Sequence, residues 1–501
     1  MGSKLITLLK RAALLILAVA VIFLGVRAYD AEQGAPLEPW HTFVPHELSA
    51  DELDHADWAK YLEVEKTIFE EIRTNVTQRL APEERIPANR YFQDSPVNPE
   101  RFAQDWNRSY TLDPTGTPVG VVVLLHGLTD SPYSLRHIAR RYRERGFAAV
   151  APRLPGHGTV PAGLTQVQWE DWTAATRLAV REARRRVGPG VPLHIVGFSN
   201  GGALAMKYAL DAIDDPTLPR ADRIILISPM IGVTAMAGLA GFAGLPALLP
   251  RFAKAAWLAI LPEFNPFKYN SFPINGARQS SLLTRALQPR LARAAREGRL
   301  STLPPILTFQ SITDFTVSTP AVVNALYAHL PENGSELVLF DLNRHTDFGP
   351  LLRPNTETML ARLLPSPPRR YRTTVVTNAD AGSANVIERV TQPGAMTEQV
   401  RPLELTYPNE VFSLSHVALP FPVTDSLYGM TPDPSENFGV HLGAMAVRGE
   451  RGVLIVSLDA LVRMSSNPFF PYLLERVTEQ IDTPVGGGQP AERMSTPTGP
   501  S

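Results

Sequence analysis

The sequence predicts an α/β protein: a mostly parallel central sheet, helices on both faces, and an inserted helical segment over the strand ends. Three observations carry this prediction. Strand-like and helix-like stretches alternate from residue 119 to 228, the rhythm of right-handed crossovers in a parallel sheet. The apolar run 193–198 ends in Gly197-Phe198-Ser199-Asn200-Gly201 and passes at once into a helix-like stretch. The rhythm breaks between 232 and 303 and then resumes.

The elements follow in order. Residues 119–125 form a continuous apolar run, as in a strand buried on both faces. A helix over 134–145 is ended by Gly146, and a strand follows over 147–152. Residues 169–187 read as a helix, 193–198 as a strand, 200–213 as a helix and 223–228 as a strand. Within the insertion, an Arg- and Ala-rich helix is expected over 282–299. Strands resume over 305–310 and 336–341, with a helix over 320–330 between them. Residues 372–378 and 403–418 look extended, 452–457 is another apolar run, and 470–481 reads as a closing helix. Upstream, Ser49-Ala50-Asp51-Glu52 fits a capping box, opening an amphipathic helix to about residue 80 with Leu53, Trp58, Leu62, Ile68 and Ile72 facing inward.

Composition narrows the classes of partner and compartment. The chain has 501 residues and a formal net charge of −1. No basic excess is available to meet nucleic-acid phosphates. There is no cysteine, which excludes disulfides, thiolate chemistry and cysteine zinc sites. No residue pattern calls for a cofactor or a metal. Lys4, Lys10 and Arg11 precede an uncharged apolar run over 12–26, and Arg27, Asp30 and Glu32 follow it. That run is short against the ~20 residues of a full span, although residues 5–9 can lengthen it. Its basic flank favours a cytoplasmic N-terminus with the rest exported. Residues 26–28 also fit a signal cleavage site, which would give a secreted protein; an uncleaved anchor is favoured. The expected organisation is an anchor or signal over 1–28, a helical extension and lead-in over 29–118, and the first half of the core over 119–231. A cap over 232–303, the second half of the core with a C-terminal insertion over 304–482, and a disordered tail over 483–501 complete it.

The Gly-x-Ser-x-Gly run points to nucleophilic chemistry. A serine on a tight strand-to-helix turn projects its hydroxyl from the top of the sheet. The helix start behind it offers free N–H groups and a positive dipole end to a developing oxyanion. Such a serine needs a base, an orienting acid and two oxyanion donors. Asp314 follows the strand over 305–310 and precedes a helix, so it lies at the carboxyl edge of the sheet where ligands gather. Two histidines compete as base. His345 ends the next strand in a polar loop, and His416 sits among small and apolar residues in Ser413-Leu414-Ser415-His416-Val417-Ala418-Leu419. The second setting suits a base held by packing, and His416 is favoured with His345 as the alternative. The oxyanion donors are expected at the N–H groups of Asn200 and Leu128. His126, His157 and His194 read as structural.

By these residues the chain resembles the α/β-hydrolase superfamily, and within it the bacterial monoacylglycerol lipase, carboxylesterase and serine-aminopeptidase-like group. Leu125-His126-Gly127-Leu128 resembles that group's oxyanion loop, Arg153-Leu154-Pro155-Gly156-His157-Gly158 the tract after its next strand, and Gly197-Phe198-Ser199-Asn200-Gly201-Gly202 its elbow. Asp314 with Val317 resembles its acid loop. The resemblance spans roughly residues 95–345. The long tail departs from the group, which ends soon after its histidine. The tract around His416 looks like one in longer members.

The resemblance implies a serine hydrolase acting on carboxylic esters through an acyl-enzyme on Ser199, with no cofactor. A small acyl ester, lipidic if the cap residues Phe242, Leu248, Phe252, Trp257, Phe264 and Phe267 form an apolar lid, is the expected substrate. Amide or thioester hydrolysis and acyl transfer use the same machinery, and Glu263 is a candidate contact for a substrate amine. A membrane-tethered, non-catalytic binding protein on a hydrolase fold is the alternative from another class.

Overall fold

The computed structural model describes residues 2–232, 247, 250–345, 358–445, 463 and 465–484. Phe242, Leu248, the apolar run 452–457 and most of the expected tail lie outside these residues.

The chain begins with α1 (Gly2–Gln33), whose segment Ile6–Val26 has a mean hydropathy of 2.3 over its apolar window and buries none of it. At 1.5 Å per residue it is long and apolar enough to cross a hydrocarbon layer of about 30 Å. After a single helical turn at Pro39–Thr42 come α2 (Ala50–His55) and α3 (Trp58–Asn75). The body is built on β1 (Tyr110–Leu112), β2 (Gly120–Leu125), α4 (Arg136–Glu144), β3 (Phe147–Ala151), α5 (Trp169–Val187), β4 (Leu193–Phe198), α6 (Asn200–Asp214) and β5 (Arg223–Ile227). It continues with α7 (Ile274–Arg296), β6 (Ile306–Ser311), β7 (Glu336–Phe340), β8 (Arg372–Asn378), β9 (Asn385–Thr391), β10 (Gln399–Thr406) and α8 (Phe470–Asp482).

The strands form one ten-stranded sheet in the order β1-β3-β2-β4-β5-β6-β7-β8-β9-β10. From β3 through β8 every neighbouring pair is parallel; β1 and the pairs β8–β9 and β9–β10 are antiparallel. Strand periodicity explains the two cores. Leu193 and Ile195 of β4 point to one face, packed beneath α5, α6 and α7. Val196 and Phe198 point to the other, packed beneath α4 and α8. Both faces are covered, so the inner strands read as unbroken apolar runs.

The flanking segments are tied to this body through buried charge. Arg153, just after β3, is enclosed between Glu47 (Nη1 to Oε1, 2.6 Å) and Glu65 (Nε to Oε2, 3.2 Å), which fastens the N-terminal extension to the loop that follows β3. At the other end, Asp425 accepts from Arg136 Nη1 (2.7 Å), Tyr133 Oη (2.9 Å) and His137 Nε2 (2.9 Å). That cluster seats the stretch after β10 on α4.

Several sequence expectations are corrected. The helix expected to run to residue 80 is interrupted at Ala56–Asp57. Asp57 accepts from the Lys60 N–H (2.7 Å) and starts a new helix there. Leu62 faces solvent. The helix expected over 282–299 begins eight residues earlier, at Ile274. Its first turns engage the half-buried Asn275 and the buried Gln279 and Ser280 in hydrogen bonds and so carry no apolar stripe. Residues 320–330 form a helical turn, a π-turn and a 3₁₀ turn in succession. Only β10 of the stretch 403–418 is extended, and β9 was not foreseen, because one of its inward positions is the charged Glu388, buried against Arg401 and Tyr472.

Candidate active site

Ser199 occupies the turn between β4 and α6 with φ +54° and ψ −115°. A serine in that region stores about 1–3 kcal/mol of strain, which the surrounding hydrogen bonds hold in place: its N–H donates to Ile227 O (3.0 Å) and its C=O accepts from Met230 N–H (2.9 Å). The flanking glycines are steric requirements. A Cβ on Gly197 would collide with the backbone of Gly201, and one on Gly201 with the backbone of Leu125. The serine is 7% exposed.

His416 comes from the irregular stretch after β10. Its Nε2 lies 2.9 Å from Ser199 Oγ, and its Nδ1 lies 2.8 Å from Asp314 Oδ2. Its ring stacks on Phe198, centroids 5.3 Å apart. Buried Leu414 and Ala418 flank it, and Ser415 Oγ donates to Arg463 O (2.8 Å). A carboxylate only accepts, so Nδ1 carries the proton and Nε2 is left to accept from the serine hydroxyl.

Asp314 sits just past the carboxyl end of β6. Its Oδ1 accepts from the N–H groups of Thr316 (2.8 Å) and Val317 (3.0 Å), and its Oδ2 also accepts from Gln310 Nε2 (3.2 Å). Burial pushes its carboxyl up, but the His416 charge, the His416 hydrogen bond and these N–H donors outweigh it and hold the group below the usual carboxylate range.

The loop after β2 lies against the serine; a Cβ on Gly127 would come within 3.2 Å of Ser199 Cβ. Asn200 opens α6, and neither its N–H nor that of Leu128 donates within the protein among the described hydrogen bonds. Helix α7 rests on both residues: Gly276 faces the Leu128 side chain, and Ser280 Oγ donates to Asn200 Oδ1 (3.1 Å).

The structure does not bring His345 to this cluster. Its N–H donates to Asn343 Oδ1 (3.1 Å), and no described contact joins its ring to Ser199 or Asp314. The other three histidines have neighbours that account for them. His126 Nδ1 donates to Gly127 O (2.9 Å) while its Nε2 accepts from Leu154 N–H (3.0 Å). His157 Nδ1 donates to Pro155 O (3.0 Å), and His194 Nδ1 faces Tyr142 Oη (3.0 Å). Glu263 is not open to a substrate amine. It is buried, and its two oxygens accept from the N–H groups of Ser271 (2.7 Å) and Asn270 (3.0 Å), which closes a loop. Trp257, Phe264 and Phe267 are buried too; Phe267 stacks on Tyr133 at 4.2 Å. Phe264 and Phe267 pack their segment onto the body, and Trp257 meets His41 edge-on at 4.9 Å. Among the described residues no group of three or more His, Asp or Glu side chains is placed to hold a metal ion.

A mostly parallel sheet flanked by helices, with a strained serine on the turn between a central strand and its helix, is the architecture of an α/β-hydrolase fold. Residues 116–349 match the family described as serine aminopeptidase, S33. The chain is 34% identical over 92 residues to the thermostable monoacylglycerol lipase of Bacillus sp. (strain H-257), which covers 18% of this chain and 35% of that protein. It is 41% identical over 51 residues to a carboxylesterase of Bacillus subtilis (strain 168), covering 10% of this chain and 21% of that protein. The chain thus spans about a third or less of the length of these relatives. Among solved structures, the monoacylglycerol lipase of Paleococcus ferrophilus shares 18% identity with a TM-score of 0.35, covering 51% of this chain and 97% of that one.

Proposed function

We propose that this chain is a serine hydrolase that cleaves carboxylic esters. The observation that carries the proposal is the continuous line of hydrogen bonds from Ser199 Oγ through His416 to Asp314. In this reading His416 Nε2 takes the hydroxyl proton as Ser199 Oγ attacks the acyl carbon. The carbonyl oxygen becomes an oxyanion held by the N–H groups of Leu128 and Asn200. One such donor contributes about 3 kcal/mol of transition-state stabilisation. The imidazolium returns its proton to the departing alcohol, leaving an acyl-enzyme. A water, deprotonated by the same ring, then releases the acid and restores Ser199. Asp314 keeps the imidazole tautomer and steadies its charge throughout.

The match to lipases and a carboxylesterase favours an ester over an amide, and the consumption of Glu263 in loop closure removes the candidate amine contact. A small acyl ester, of lipidic type, is the proposed substrate. In the same reading residues 232–303 are a cap, α1 is an N-terminal membrane anchor and the body lies outside the cytoplasm. The experiment is active-site labelling. A fluorophosphonate probe is expected to mark the wild-type chain and not Ser199→Ala, with p-nitrophenyl ester turnover lost in parallel. Undiminished turnover in a folded Ser199→Ala rejects the proposal, and an unlabelled wild type points to the non-catalytic binding protein.

A further inference from the structure

The loop that carries Leu128 is held in a conformation its sequence disfavours. Thr129, the next residue, has φ +63°. For a β-branched side chain this is an outlier that persists only when its surroundings enforce it. The enforcement comes from one short segment between β5 and α7. Lys268 Nζ donates to Thr129 Oγ1 (3.0 Å) and approaches Leu128 O (3.4 Å), and the Tyr269 N–H donates to Thr129 O (2.8 Å). Three successive acceptors of the loop are met by two adjacent residues.

That segment is itself rigid. Glu263 closes it from within by accepting from Asn270 and Ser271. Asn107 Nδ2 donates to Pro266 O (2.9 Å) and Asn265 Nδ2 to Tyr428 Oη (2.7 Å). Tyr269 Oη receives the Thr159 N–H (2.8 Å) and donates to Gly156 O (3.0 Å). Lys268 has no carboxylate within ion-pair distance among the described residues; Asp130 acts on it only through space. A partly buried ammonium without a close counter-ion is costly unless its hydrogen bonds are needed.

We propose that Lys268 is a positioning residue of the oxyanion site: its ammonium, with the Tyr269 N–H, fixes Thr129 in the left-handed region and so aims the Leu128 N–H at the substrate oxygen. The proposal rests on the reading of Ser199 as nucleophile. It requires Lys268 to act on the transition state rather than on substrate binding.

The test measures kcat, KM and the inhibition constant of a trifluoromethyl ketone, whose hydrated adduct presents an oxyanion. Lys268→Met is expected to lower kcat and ketone affinity together by about 10- to 100-fold, short of the loss for a deleted donor, with KM within about twofold. Glycine reaches φ +63° without steric cost. Thr129→Gly is therefore expected to restore part of the activity in the Lys268→Met background, and Lys268→Arg to restore part of it alone. Undiminished kcat and ketone affinity in Lys268→Met overturn the proposal, as does an equal, additive loss in the Thr129→Gly background. Should Lys268→Met not fold, Thr129→Val decides: it deletes only the Oγ1 acceptor and must lower kcat and ketone affinity together, and an unchanged enzyme overturns the proposal. A wild type that never reacts with fluorophosphonate removes both readings; a reactive wild type with an undiminished Lys268→Met removes this one alone.

Discussion

The imidazole of His416 stands 2.9 Å from the hydroxyl of Ser199 although 217 positions separate them in the chain. The same ring meets Asp314 at 2.8 Å, across 102 positions. His345, nearer in sequence to Asp314, makes neither contact. If His416 is the base, His416→Ala lowers kcat/KM for a p-nitrophenyl ester by about 10⁴-fold or more, whereas His345→Ala leaves it within about threefold. Steady-state kinetics of the two single variants decide between them, and the reverse pattern rejects the assignment.

Asp314→Asn separates orientation from bulk. The amide can offer an N–H where the carboxylate accepted, which favours the wrong imidazole tautomer. A fall in kcat of about 10³- to 10⁴-fold with little change in fold is expected. Circular dichroism with single-turnover kinetics checks it; a loss under tenfold in a folded variant would remove Asp314 from the role.

The Asp425 cluster makes a stability prediction far from the chemistry. Asp425 and Arg136 are fully buried as side chains. Burial pushes the Asp425 carboxyl up, but the Arg136 charge and the His137 contact more than offset it and hold the group well below the usual carboxylate range. Asp425→Ala removes the closer carboxylate partner of the buried Arg136 guanidinium, leaving it Glu436 at 3.3 Å, and is expected to destabilise the protein by up to about 3–5 kcal/mol. Its stabilisation in the wild type is present above the ordinary carboxylate pKa and is lost as pH falls through the lowered one. Denaturant titration of both proteins measures the difference, and a change within error counts against the cluster.

His194 gives a pH signature of opposite origin. Burial, then the charge of Arg223, lowers its pKa to about 3 from 6.5. The ring stays neutral in the fold while the unfolded chain takes up a proton near pH 6.5. Its contribution is full above that pH and declines as pH falls toward the lowered value. Replacing it by phenylalanine should flatten the fall in unfolding midpoint between pH 7 and pH 4. Identical slopes for the two proteins would show that the ring is not kept neutral by folding.

The parallel core was legible because its signals are local. Continuous apolar runs mark β2, β4 and β5 as doubly covered strands, and Gly197 and Gly201 mark a turn that admits no Cβ. Helix α5 was legible to the residue because it begins with charge at Glu170 and Asp171 and ends at Gly188. The start of α7 was not, because its inner face is polar: Asn275, Gln279 and Ser280 are there to hydrogen-bond, not to bury apolar area. Glu263 could be read as an exposed acid only until its two backbone partners were visible, and nothing in the chain around Thr129 announces that Lys268 will hold it.

The amino-acid order alone determined the strand-to-helix turn at Ser199, because steric exclusion at two glycines and the period of an apolar run operate over a few residues. Which imidazole reaches that serine was decided only by tertiary packing. His416 arrives through a long connection whose path depends on β8, β9 and β10 extending the sheet and on Asp425 fastening the return to α4. No short-range rule ties position 416 to position 199. The proximity exists because buried surfaces far from both residues fit together.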